Sequence, residues 1–145
     1  ENLKLAPGDI VKLALPAGAS PDSVEVRLNF SLGGEGAIAL GLRGTADGTQ
    51  GVTVAYNSSA GLAVDVGARR TTAPPLAGAA DTLSSLRVFL DRAIIEAHVN
   101  ARCSITTSYF PADITGGTAF TLTNPGKTTH VTASVEIWGM GGMFA

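Results

Sequence analysis

Asp91, Arg92 and Glu96 put two carboxylates and a guanidinium within six residues of a 145-residue chain, and no other stretch of it offers chemistry so directly. Cleaving a glycosidic bond takes two carboxyl groups held roughly 5–10 Å apart across it. Asp91 and Glu96 flank an Arg92-Ala93 turn and can approach each other around it. The same spacing also serves structure, because a planar guanidinium binds carboxylates bidentately, and that is the reading the residues favour. A third use is sugar binding, in which carboxylate and arginine groups bond neighbouring hydroxyls while an aromatic face stacks on C–H groups. Tyr56, Tyr109 and Trp138 are the aromatics available for it. Supply is short, with one Trp, two Tyr and five Phe, and most Phe positions alternate into the expected core.

Other residues carry less. His98 and His130 fall on different strands without a ligand spacing that would hold a metal, so no metal or cofactor is expected. Gly33-Gly34-Glu35-Gly36 joins two strands with no helix behind it to hold an anion, and reads as a hairpin turn. Cys103 is the single cysteine and cannot form an internal disulfide; a small buried hydrophobe on a strand is the expectation. Two sequons occur, Asn29-Phe30-Ser31 and Asn57-Ser58-Ser59, and Asn57, placed in a turn, is the better acceptor. Ten basic and 12 acidic residues leave a net charge of −2. That excludes the basic excess of a nucleic-acid binder, and no basic run suits a membrane surface. No stretch approaches the roughly 20 apolar residues of a membrane span.

The elements that position these residues are strands. Eighteen glycines and seven prolines punctuate short runs of Val, Ile, Leu, Thr and Phe, the spacing of a sandwich or barrel. The expected strands are Asp9–Leu15, Ser23–Phe30, Ala37–Arg43, Val52–Tyr56, Leu62–Val66, Leu86–Asp91, Ile94–Val99, Cys103–Phe110, Ala119–Thr123 and His130–Trp138. Val24 to Phe30 and Val131 to Ile137 alternate apolar and polar, as strands with one face in a core do. Asp47-Gly48, Asn57 to Gly61 and Asn124-Pro125-Gly126 are turns. Gly67 to Leu83, with Pro74-Pro75 inside it, reads as a long loop crossing between sheets. One domain, residues 1–145, built as an all-β, two-sheet antiparallel sandwich of jelly-roll or concanavalin-like type, is the expected fold. A chain starting at Glu1 without Met reads as a mature or excised piece of something larger.

The stretch from Leu86 to Pro111 resembles a segment of the C-terminal, non-catalytic domain of family 32 glycoside hydrolases, the invertases, fructanases and levanases. There a hydrophobic strand leads into an Asp-Arg-Ser turn, a second strand with a central Glu, and a third ending in an aromatic and Pro. Asp91, Arg92 and Glu96 match it. Gly41-Leu42-Arg43, Tyr56 before a turn, Asp65 and Trp138-Gly139-Met140 agree in order. Ala93 stands where the family has Ser, His98 replaces an aromatic, Asn100-Ala101-Arg102 lacks the Asn-Asp-Gly turn, and Gly139 replaces Pro.

The resemblance implies a sandwich docked beside a propeller that holds the active site. The family's catalytic Asn-Asp-Pro, Arg-Asp-Pro and Glu-Cys motifs do not occur here, so the chain alone is expected not to hydrolyse sucrose, inulin or levan. It also implies an extracellular or vacuolar location and an accessory role against a propeller or another protein. The second reading it allows is a stand-alone module binding fructose-containing sugars through Asp91, Arg92, Glu96, Tyr56 and Trp138.

Overall fold

The computed structural model describes residues 1–32, 36–45, 51–75, 84–110 and 117–141. The described residues form twelve strands: β1 (Asn2–Leu5), β2 (Ile10–Leu13), β3 (Ser23–Ser31), β4 (Ala37–Gly44), β5 (Val52–Asn57), β6 (Gly61–Val66), β7 (Arg69–Ala73), β8 (Ser84–Asp91), β9 (Ile94–Val99), β10 (Cys103–Ser108), β11 (Ala119–Thr123) and β12 (Val131–Gly139). They pair antiparallel into two six-stranded sheets. The first, sheet A, runs β1-β12-β3-β8-β9-β10, and the second, sheet B, runs β2-β11-β4-β5-β6-β7. The expected β-sandwich is what the chain forms.

Alternation explains the packing. On β3, Val24, Val26, Leu28 and Phe30 are sealed from solvent, while Glu25, Arg27 and Asn29 between them face out. Ile38, Leu40 and Leu42 on β4 and Val52, Val54 and Tyr56 on β5 supply the opposing layer. The two inner faces meet in one cluster, and Phe30 from sheet A packs on Tyr56 from sheet B with ring centroids 5.9 Å apart. Each such side chain contributes roughly 1.5–3 kcal/mol by leaving water.

Two strands depart from the sequence expectation. β1 was not expected, and β7 lies inside the stretch read as a loop from Gly67 to Leu83. Arg69-Arg70-Thr71-Thr72-Ala73 has no apolar alternation because β7 is a sheet edge. Its pairing with β6 and the ion pair of Arg70 with Asp65 hold it. Asp47-Gly48, Ala77 to Ala80 and most of the Gly33–Gly36 turn lie outside the described residues. Cys103 is half-buried at the start of edge strand β10, less enclosed than expected. Phe30 and Phe120 point inward as anticipated, but Phe89 lies on the outer face of sheet A, and Phe110 is exposed.

A buried asparagine anchors one end. Asn124 is 0% exposed, its Nδ2 donating to the carbonyls of Leu5 (3.1 Å) and Thr129 (2.8 Å) and its Oδ1 accepting from Gly126 N (3.0 Å). The Asn124-Pro125-Gly126 turn is therefore a polar junction sealed between β1, β11 and β12.

Candidate functional site

The residues expected to act together divide among three places. Asp91 and Glu96 both point outward from sheet A, on the β8–β9 hairpin. Asp91 pairs with Ile94 and Glu96 with Phe89, so the carboxylates are diagonal neighbours, about 7–8 Å apart at the backbone by sheet geometry. Arg92 is the left-handed residue of the intervening turn, φ 53°. Its amide donates to Asp22 O at 2.7 Å, and its exposed side chain joins neither carboxylate in an ion pair among the described residues. Trp138 is on the same outer face, 40% exposed, separated from Glu96 by the intervening β3 and β8.

Tyr56 does not belong with them. It is 2% exposed in the core, because it shares the inward parity of Val52 and Val54, and it offers no ring face to a sugar. The two sequon asparagines also differ. Asn57 closes β5, and its Oδ1 accepts from Ser59 N (3.0 Å), Ser59 Oγ (3.0 Å) and Ala60 N (2.5 Å). Asn29 is set in mid-strand on the outer face of sheet A, between Ser85 and Ser134.

The outer face of sheet A is a lattice of charged and aromatic side chains. Register sets Trp138, Glu25, Phe89, Glu96 and Thr106 in one cross-strand row, and Glu136, Arg27, Arg87, His98 and Ser104 in the next. Arg87 Nε donates to Glu25 Oε1 at 2.5 Å, and Arg27 Nη2 reaches the same oxygen at 3.5 Å. The Arg27 guanidinium lies 5.1 Å from the centre of the Trp138 ring, and that of Arg87 4.6 Å from Phe89. His98 stands edge-on to Phe89, 6.0 Å between centroids, with Nε2 3.7 Å from Glu96 Oε2. Sequence reasoning missed Glu25, Arg27 and Arg87. Their signal was the polar half of the β3 and β8 alternation, legible as outward-facing but not as mutually adjacent.

A second node sits where the sheets meet at the β8–β9 turn. Arg43 has a left-handed backbone, φ 54°, where the β4–β11 register slips between Ala119 and Thr121. Such a bulge re-aims a side chain. Here it turns Arg43 to ion-pair with Asp22 and to donate from Nε to Gly117 O at 2.7 Å. Gly117 is required there, since a Cβ would collide with the Arg43 carbonyl. The buried Tyr109 hydroxyl lies beside Arg43 without the alignment of a hydrogen bond. Burial raises its pKa above the ordinary value; Arg43 opposes that shift and the Asp91 charge adds to it. Tyr109 is therefore a neutral phenol at physiological pH.

Sheet B presents a different surface. Ile10, Thr123, Ala39, Ala55, Ala63 and Thr72 form one outward row, and Lys12, Thr121, Gly41, Thr53, Asp65 and Arg70 the next. Its charges lie toward the two sides, Lys12 on edge strand β2 and Asp65 and Arg70 on the neighbouring strands β6 and β7, where Arg70 holds Asp65 through two bonds of 2.7 and 2.9 Å. Ile10, at one edge, is 67% exposed. Nothing in the three places is a metal site: no group of three His, Cys, Asp or Glu converges among the described residues.

The family model described as "Glycosyl hydrolases family 32 C terminal" matches residues 4–139. The chain belongs to that family. It is thus the C-terminal, accessory domain type of family 32 rather than its catalytic part. Solved structures agree in fold. An exo-inulinase from Aspergillus awamori is similar with a TM-score of 0.70 at 20% identity, over 93% of this chain and 28% of that one. A beta-fructofuranosidase from Aspergillus kawachii gives 0.73 at 16% identity, over 97% and 26%. The carbohydrate binding module CBM66 from Bacillus subtilis gives 0.61 at 15% identity, over 91% and 83%. The family 32 domain described here therefore spans roughly a quarter of the two enzymes' chains. No curated protein matches the sequence.

Proposed function

We propose that this domain works by non-covalent contact, docking through the outer face of sheet B on the propeller catalytic domain of a fructan- or sucrose-acting glycoside hydrolase. The observation that carries the reading is the difference in that face: its interior is Ala, Gly and Thr, and a large exposed apolar side chain, Ile10, extends it. Small side chains let a partner approach the sheet closely. Five strand spacings make the face about 24 Å wide, a width suited to the roughly 800 Å² that each side of a standard interface contributes. The family 32 enzymes similar to it are several times longer than this chain, which supports a propeller as the occupant. An extracellular or vacuolar setting goes with that proposal.

The test is sedimentation of the domain with a family 32 propeller supplied in trans. A complex is expected for the wild type. Ala55→Arg, which would bury an unpaired charge in the contact, is expected to weaken it by at least about 2 kcal/mol, while Arg87→Gln on the opposite sheet leaves it unchanged. A complex indifferent to Ala55→Arg overturns the choice of face.

The second reading is a module for fructose-containing sugars around Asp91, Arg92, Glu96 and Trp138. Its support is the likeness to a carbohydrate binding module of which this chain covers 83%. Monomeric domain that binds levan or inulin in calorimetry, and no propeller, would favour it.

A further inference from the structure

Arg27, Arg87 and His98 are direct cross-strand neighbours on β3, β8 and β9. Like charges placed opposite one another destabilise a sheet, so two arginines in register are unexpected unless something else uses them. Among the described residues the one carboxylate they touch is Glu25, which both share through a single oxygen. One shared carboxylate leaves most of their ten N–H donors, five per guanidinium, without a hydrogen-bond partner among the described residues, on side chains 40% and 46% exposed. Both guanidinium groups are also held in place, each against an aromatic ring, which reduces the freedom lost when a ligand binds. Between them, Arg27, Ser85, Arg87, Phe89, His98 and Ala101 line an open hollow of about 400 Å³. Its rim is built rather than incidental. Asn100 and Ala101 both take left-handed backbone, φ 52° and 51°, and Asn100 is clamped to Ser85 by bonds of 2.9 and 2.7 Å.

We propose that this hollow binds an oxyanion-bearing sugar unit, carboxylated or phosphorylated. The planar, fixed guanidinium pair would grip the oxyanion as arginine does carboxylate and phosphate. Ser85 and His98 would meet the ring hydroxyls. A neutral sugar fits less well, because the aromatic faces it would stack on are already covered by the arginines. The site lies on the sheet opposite the proposed docking face and stands or falls independently of it.

Titrations followed by NMR of the arginine and His98 side chains test this, at low and at physiological salt. The probes are glucuronate, glucose 6-phosphate, inorganic phosphate and, as control, glucose. Saturable shifts centred on Arg27, Arg87 and His98 are expected with the anions and not with glucose. Glucuronate and glucose 6-phosphate separate the carboxylate source from the phosphate one, and inorganic phosphate shows whether the oxyanion alone suffices. Arg87→Gln and Arg27→Gln should each weaken binding at least about tenfold, the loss of one charge-assisted hydrogen bond. Glu136→Gln, which removes a competing carboxylate across from Arg27, should tighten it. Absence of saturable shifts with every anion overturns the proposal, as does binding unaffected by both arginine variants while their circular dichroism matches the wild type.

Discussion

The outer faces of the two sheets come from the same rule and end as opposites. Both arise because strands alternate, and both stand behind similar inner faces of Val, Leu and Ile. Yet sheet A faces outward with Arg, Glu, Phe, Trp and His, and sheet B with Ala, Gly and Thr. Long charged side chains keep an open sheet solvated and discourage another sheet from stacking on it. A short-side-chain face lacks that protection and leaves the backbone open to close approach. The contrast separates two jobs that the fold alone would leave mixed: one face suited to water and small polar ligands, the other to protein.

The strongest way to sharpen the contrast uses two aromatics once expected to act together. Tyr56→Ala opens a cavity in the core and should cost about 3–5 kcal/mol of stability in chemical denaturation. Trp138→Ala, at the exposed rim of sheet A, should cost about 1 kcal/mol or less. Equal losses would mean that Trp138 is part of the packing and that sheet A is not an open face.

The next effect lies at the node joining the sheets. Arg43→Ala removes the partner of Gly117 O and of Asp22 while keeping a side chain at a left-handed position, and should cost about 2 kcal/mol. Arg43→Gly loses the same contacts but relieves the backbone, so it should be the milder variant by about 1 kcal/mol. Thermal unfolding of the pair decides it; a milder alanine would mean that the bulge carries no strain.

The smallest effects compare the charges themselves. Arg87→Ala on sheet A and Asp65→Ala on sheet B each break an exposed ion pair and should each cost less than about 1 kcal/mol. If Arg87→Ala cost more than about 2 kcal/mol, the arginine row would be a structural brace, and its free donors would no longer point to a ligand.

Much of this was legible beforehand, for local reasons. The alternation of Val24 to Phe30 and Val131 to Ile137 identified strands and their inner faces, and the Asp91-Arg92 turn appeared where the residues placed it. Tyr56 was misread because an aromatic before a turn looks available, although its own parity with Val52 and Val54 sends it inward. β7 escaped because an edge strand is held by its neighbour rather than by its own apolar pattern. Arg43 escaped because a bulge depends on the register with β11, some 76 residues away.

What the sequence determined by itself is what depends on neighbours a few residues apart: strand character, turn positions, the inner and outer sets of each strand, and the family motif around Asp91, Arg92 and Glu96. Only the tertiary structure decided which outward residues become neighbours. Arg27 and Arg87 are 60 positions apart in the chain and meet solely because β3 pairs with β8. Ala39, Ala55 and Ala63 form one flat patch solely because β4, β5 and β6 pair in that register. Period two assigns a side chain to a face but says nothing about which strand lies beside it. That choice is made by the long-range pairing of the whole sandwich.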